Sequence, residues 1–277
     1  RYRLFQSGVR SISNLVDVSN YVMLEMGQPL HAFDYDRLGE NRIEVRRAEK
    51  GEVFTTLDGV KRDLHPETLL ICDGEKPVAL AGIMGGLNSE IHEKTKNILV
   101  ESAFFDPITI RRGSKRLGLS TEASYRFERG ADIGGVESAL NRALYFINLL
   151  AGGVTAKGIM DNYSKPFTAP RISFRPEKAN AILGTSISKS AMKDYFGALE
   201  MKVVEDGNQD PLYVIPPTFR VDIKREVDLV EEVARLHGFD NIPVISPRIT
   251  PSEGSDSPDL LLRDKVRTMM KAFGFSE

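Results

Sequence analysis

Residues 100–130, VESAFFDPITIRRGSKRLGLSTEASYRFERG, constrain this chain more than any other stretch. The apolar run at 97–100 reads as a strand and ends in a carboxylate, Glu101, just ahead of Phe104 and Phe105. Asp106-Pro107 then has the form of a helix N-cap followed by proline in the first turn, where the missing N–H costs nothing. Arg111, Arg112, Lys115 and Arg116 recur so that a helix puts all four on one face. Small polar residues follow at 120–124, and then Arg126 and Arg129. Cations beside small residues fit a polyanion held next to a tight polar pocket. They fit a solvated charged face equally well.

Upstream, residues 14–26 read as a helix stopped by Gly27, with Pro29 preventing its continuation. Residues 27–34 then read as a loop that presents His31. Strand-like runs are expected at 43–46, 53–57 and 69–72, with turn signals at Glu49-Lys50-Gly51, Asp58-Gly59 and Asp73-Gly74. A small apolar run at 78–84 ends in Gly85-Gly86, where a backbone can approach a ligand closely. Residues 136–150 carry apolar side chains at helical spacing, from Val136, Ala139 and Ala143 to Ile147, and Gly152-Gly153 ends that helix.

Residues 165–170 are rich in proline and polar side chains and read as a linker. Beyond them the sequence predicts a short strand at 171–174 and helices at 176–183 and 189–199. Strands at 202–205 and 212–215 follow around the turn Asp206-Gly207-Asn208, and then a helix that reaches His237. Two short helices and a hairpin resemble a winged helix-turn-helix. That shape does not by itself imply DNA binding, and the helix at 189–199 carries only Lys189 and Lys193 as cations. The expected class is α+β: a mixed domain at 1–164, a linker at 165–170, and a winged-helix-like domain at 171–245. A second linker at 246–258 and the start of a further, truncated domain at 259–277 complete the division.

Totals narrow the function classes. At 277 residues the chain can hold two domains, each with its own core. A net charge of -2 excludes a generally basic nucleic-acid binder, so any such contact must come from a local patch. The single cysteine, Cys72, rules out a disulfide framework within the chain and points to a reducing compartment. No apolar run reaches membrane-spanning length and the first residues lack a signal-peptide pattern, so a soluble, cytoplasmic protein without a membrane partner is expected. The absence of an initiator Met and the amphipathic closing segment at 260–275 read as marks of a fragment.

Among side chains with chemistry, Asp222, Asp228, Glu231 and Glu232 stand out; positions 228, 231 and 232 share one helix face. Oxygen ligands of that kind suit Mg²⁺, which often draws further ligands from elsewhere. An acidic helix start that complements the macrodipole, with Arg225 and Arg235 as neighbours, accounts for the same spacing. His31 is open to three roles: general base, orienter of a ligand, or hydrogen-bonded loop histidine. Glu101, at the end of an apolar strand, needs either a donor or a salt bridge to a nearby arginine. There is no Walker-type phosphate loop, zinc spacing or serine nucleophile elbow.

Three separated strings, GQPLHAFD (27–34), LAGIMGG (80–86) with ESAFFDP (101–107), and TEASYRFERG (121–130), resemble the editing region of the β subunit of bacterial phenylalanyl-tRNA synthetases. FRVDIKREVDLVEEVARLHGFDNIP (219–243) resembles the domain that follows it there. The resemblance implies hydrolytic editing of tyrosine mischarged on the phenylalanine tRNA, because an apolar pocket rejects an added hydroxyl poorly and a second site must clear the error. It implies that Glu101 accepts the tyrosine phenol and that His31, Gly85, Thr121 and Ala123 line the pocket. With no evident nucleophile, His31 is expected to orient water or substrate rather than to act as an essential base. Ser19-Asn20 falls where a Thr-Asn pair is common in the family, a departure of one methyl that keeps the hydroxyl. By the same resemblance Asp222, Asp228, Glu231 and Glu232 bind Mg²⁺ at the contact with the α subunit of an α2β2 heterotetramer. ATP belongs to the whole enzyme, at the α subunit. Charge places Arg111, Arg112, Lys115 and Arg116 near the acceptor end of the tRNA. The competing reading is a non-catalytic structural, assembly or nucleic-acid-binding module.

Overall fold

The computed structural model describes residues 1–205, 211–244 and 257–276. In chain order the first elements are α1 (Tyr2–Gln6), α2 (Asn14–Met26), β1 (Leu30–Asp34), β2 (Glu44–Arg47), β3 (Val53–Thr55) and β4 (Lys61–Asp63). Then come β5 (Leu69–Cys72), β6 (Pro77–Leu80), β7 (Met84–Gly85), β8 (Ile98–Ser102), α3 (Pro107–Leu117), α4 (Glu122–Phe127) and α5 (Val136–Ala151). After a stretch without helix or strand follow β9 (Ile172–Phe174), α6 (Pro176–Leu183), α7 (Lys189–Ala198), β10 (Lys202–Val204), β11 (Leu212–Ile215), α8 (Glu226–His237) and α9 (Pro258–Ala272). The class is α+β.

Helix ends are set by local chemistry. Ser13 accepts from the Val16 N–H to start α2, and Gly27, at φ 74°, stops it in the left-handed conformation. The Asp106 carboxylate caps α3 through the Thr109 N–H, with Pro107 in the first turn. Thr121 and Ser124 exchange side-chain and backbone hydrogen bonds in a capping box that opens α4.

Strands diverge more from the sequence expectation. The segment expected as a loop around His31 is β1, paired antiparallel to β8. The polar stretch Lys61–Asp63, not expected as a strand, closes a hairpin with β3 around Gly59, at φ 75°. The single run expected at 78–84 divides into β6 and β7 about a tight turn at Gly82. A methyl on Gly82 would meet Phe105, Ile110 and Phe127 carbons at 2.9–3.1 Å, so the turn is pressed directly against α3 and α4.

The four-stranded sheet β2-β5-β6-β7 and helices α3 and α4 enclose the first core, where Leu70, Val78, Leu80, Ile110 and Phe127 are buried together with Phe33 of β1. Each such side chain contributes about 1.5–3 kcal/mol. A smaller core lies on the other side of the β1–β8 ribbon, where Leu30, Ile98 and Val100 pack on Val18 and Val22 of α2 and Ala139 and Ala143 of α5. A third core, centred on Phe174, Phe196, Leu212, Leu229 and Val233, holds α6, α7 and α8 against the antiparallel sheet β10-β11-β9. The hairpin expected there is thus extended by β9, and α8 begins only at Glu226. The turn at 206–208 and most of the linker at 246–258 lie outside the described residues. Among the described residues no helix is long and apolar enough to cross a membrane.

Candidate functional site

The β1–β8 ribbon places His31 directly opposite Glu101. Opposed residues of an antiparallel pair share a face, and alternation puts Phe33 and Leu99 on that same face. Phe33 is fully buried and meets the imidazole edge-on, with ring centroids 4.5 Å apart. From the other side β7 closes on the ring. A Cβ on Gly85 would lie 2.7 Å from His31 Cε1 and 2.9 Å from its Nε2, so only glycine leaves the imidazole its place.

Thr121 belongs to this wall through the backbone. Its hydroxyl donates to the Ile83 carbonyl at 2.8 Å, which fastens the start of α4 to the turn leading into Gly85. Ala123, at the start of α4, packs on the same core. Of the three positions the resemblance implied, Gly85 touches His31 directly, Thr121 is tied to the turn before Gly85, and Ala123 packs on the first core. Ser19 and Asn20 are not joined to that group by any hydrogen bond among the described residues; Ser19 Oγ turns back to the Val16 carbonyl within α2.

Neither His31 nor Glu101 has a side-chain hydrogen bond or ion pair among the described residues, so the arginine partner considered for Glu101 is not present. Both side chains are only partly exposed. Burial alone pushes the Glu101 carboxyl up to about 7 and the His31 imidazole down to about 4. Near neutral pH the histidine is uncharged, and the carboxyl is poised between donor and acceptor. Two surface depressions lie elsewhere, about 560 Å³ lined by Arg1, Phe5 and Arg10 and about 370 Å³ lined by Ile187, His237 and Asn241. Neither contains a group with comparable chemistry.

The cation run divides into paired and unpaired members. On α3, Ile110, Gly113 and Ser114 face inward, while Arg111, Arg112, Lys115 and Arg116 are exposed. Arg116 pairs with Glu67, Arg126 with Glu122, and Arg129 with Glu128 while stacking on Tyr125. Arg111, Arg112 and Lys115 form no ion pair among the described residues, and they make one exposed positive face.

The acidic set is already engaged. Arg220 reaches both Asp222 oxygens, at 2.9 and 2.7 Å, and Glu232 at 2.8 Å; Glu232 also pairs with Arg235. Asp228 accepts from the Lys224 and Arg225 N–H groups ahead of α8, at 3.0 and 2.8 Å. These bonds hold all three carboxyls below the usual carboxylate range. Glu231 is exposed. Among the described residues no group of three or more metal-capable side chains gathers, so the four acids, as placed in this chain, do not fit a ready Mg²⁺ site. The reason is that arginines and backbone N–H groups neutralise the carboxylates first.

Sequence reading missed Phe33, which packs edge-on against His31, and Gln28, which is buried beside the ribbon's end. Only the alternation Leu30-His31-Ala32-Phe33 hinted at the first.

Residues 1–152 match the family model described as B3/4 domain. The chain belongs to the B3/4 domain family. Residues 172–239 match the tRNA synthetase B5 domain, so the third core, built around Phe174 and Phe196, corresponds to a B5 unit. The chain is 52% identical over 277 residues to the phenylalanine–tRNA ligase beta subunit of Geobacter sulfurreducens, covering 99% of this chain and 34% of that protein. It is 50% identical over 279 residues to the same subunit of Syntrophus aciditrophicus, covering 100% of this chain and 35% of that one. The chain thus spans about a third of the length of the curated relatives it matches. A solved N-terminal fragment of the phenylalanyl-tRNA synthetase β subunit from Pyrococcus horikoshii overlays 80% of this chain and 65% of its own, at 16% identity and a TM-score of 0.38.

Proposed function

We propose that this chain is the editing and B5 portion of a phenylalanine–tRNA ligase β subunit, and that its B3/4 region hydrolyses the ester joining tyrosine to the terminal ribose of the phenylalanine tRNA. The observation that carries the reading is Glu101: a desolvated carboxyl with no partner among the described residues, opposite an uncharged His31 that packs against Gly85. A tyrosine phenol supplies the donor that the carboxylate lacks. Phenylalanine leaves it unpaired, a difference of ~1–3 kcal/mol or more.

Water attacks the ester carbonyl; the acyl–oxygen bond breaks, tyrosine leaves as the free acid, and the ribose oxygen takes a proton. No serine or cysteine nucleophile is needed, and a positioned water with ribose hydroxyls suffices. His31, neutral at working pH, orients that water or the substrate; Gly85, Thr121 and Ala123 shape the pocket, and Ser19-Asn20 enter only if α2's exposed side meets the ligand. The open cationic face of Arg111, Arg112 and Lys115, with Arg116 beside it, follows the tRNA phosphates.

Partners and cofactors belong to the assembled enzyme: the α subunit in an α2β2 ligase, ATP at that subunit, and Mg²⁺. A cation site at Asp222, Asp228, Glu231 and Glu232 requires the α subunit to supply ligands and Arg220 to yield. We place the enzyme in the cytoplasm and divide the chain at 165–170 and 246–258, as the linker composition indicates. The saturated acids favour a second, structural role for the B5 unit, as an ion-paired scaffold at the subunit contact.

The decisive experiment is release of tyrosine and of phenylalanine from the phenylalanine tRNA by the intact ligase. Fast, tyrosine-selective release by wild type that loses selectivity in Glu101→Ala supports the sieve. Equal selectivity in that variant removes Glu101 from the role.

A further inference from the structure

We propose that Gln28 is a positioning residue: its carboxamide replaces the ladder donor that Pro29 lacks, and so holds Glu101 in register with His31. This rests on the sieve reading of Glu101 given above.

The pairing Leu30 to Ser102, His31 to Glu101 and Phe33 to Leu99 runs without a bulge. Just beyond its other end the Tyr35 N–H donates to the Asn97 carbonyl at 3.0 Å. Hydrogen-bonded and open rungs alternate in an antiparallel ladder, so Tyr35–Asn97, Phe33–Leu99 and His31–Glu101 are the hydrogen-bonded kind. Continued by the same step, the next such rung joins position 29 to Ala103. Position 29 is proline, which has no N–H to give. The ladder therefore loses its donor one rung from the two site residues.

Gln28 supplies it. Its Nε2 donates to the Ala103 carbonyl at 2.7 Å and to the Pro29 carbonyl at 3.1 Å, so one amide serves both acceptors of the missing rung. The residue is 2% exposed, and its Oε1 is buried with no donor among the described residues. Rotating the amide would set that oxygen against two carbonyls and strand the NH₂, so the two acceptors dictate its orientation. A buried acceptor left unpaired is a cost the site bears to keep this donor in place. The Ala103 carbonyl lies just two residues beyond Glu101, so leaving it free lets the end of β8 fray where the carboxyl must be aimed.

The test uses the intact ligase with Gln28→Met, Pro29→Ala and the double variant. Tyrosine and phenylalanine release are measured with kcat and KM separated, and Tm is recorded for each protein. Gln28→Met is expected to lower kcat for tyrosine release about tenfold with little change in KM, leaving phenylalanine release alone. Pro29→Ala restores a backbone N–H at the vacant rung, so the double variant regains most of the loss, and Pro29→Ala alone stays near wild type. The proposal is overturned if Gln28→Met keeps wild-type preference, loses both activities in step with Tm, or is not rescued by Pro29→Ala. Should wild type show no tyrosine preference, the sieve fails instead. The ladder claim is then decided by amide exchange of Glu101, faster in Gln28→Met and restored in the double variant if it holds, unchanged throughout if it does not.

Discussion

His31 and Glu101 face each other across one rung of the β1–β8 ribbon, and neither side chain has a polar partner of its own among the described residues. Burial moves them in opposite directions, to about 4 and about 7, so each is driven toward its uncharged form. Groups left unpaired in this way cost stability, and they persist where a ligand supplies what is missing.

Stability should therefore fall with rising pH through Glu101. Its carboxyl is raised on folding, so its contribution is complete below about 4.5 and is lost as pH climbs through about 7. Glu101→Gln should remove that loss and gain about 2–3 kcal/mol at pH 8 relative to pH 4.5, read from urea midpoints at the two pH values. Parallel curves for both proteins refute the assignment.

His31 acts with the opposite sign. Lowered on folding, its contribution is present above about 6.5 and disappears as pH falls through about 4. A His31→Gln protein should lack that component of acid destabilisation, and midpoints measured between pH 4 and 7 decide it.

Gly85→Ala puts a methyl 2.7 Å from His31 Cε1. Displacing the ring or strand β7 costs about 1–3 kcal/mol, and tyrosine release should fall with it. Thermal melts and deacylation rates on one preparation check both; an unshifted Tm with full activity shows that the wall is softer than described.

Replacing Arg111, Arg112 and Lys115 with alanine removes exposed charges that have no ion pair among the described residues. Tm should hardly change, while the salt dependence of tRNA binding should flatten by about 0.7 for each phosphate no longer neutralised. A slope equal to wild type excludes this face from the RNA path.

Arg220→Met takes away the cation between Asp222 and Glu232. Asp222 then loses its cation and Glu232 keeps only Arg235, which should destabilise the B5 unit by about 1–3 kcal/mol, and millimolar Mg²⁺ should recover part of that if the acids can accept a metal. Melts with and without MgCl₂ that coincide argue for a purely ion-paired scaffold.

What the sequence determined by itself is local. Ser13, Asp106 and Thr121 cap helices through bonds three residues long, and Gly27, Gly118 and Gly152 end them in a backbone form that glycine adopts without strain. These signals lie within one turn of chain, and the motif strings carried the family. Only the tertiary structure decided that His31 sits on a strand rather than a loop, because the partner that makes it one, β8, is distant in the chain. It likewise decided that Glu101 pairs with no arginine among the described residues while Asp222 and Glu232 share one. The spacing of charges along a chain says which groups can ionise. Which of them meet a counter-charge is settled when strands pair and helices pack.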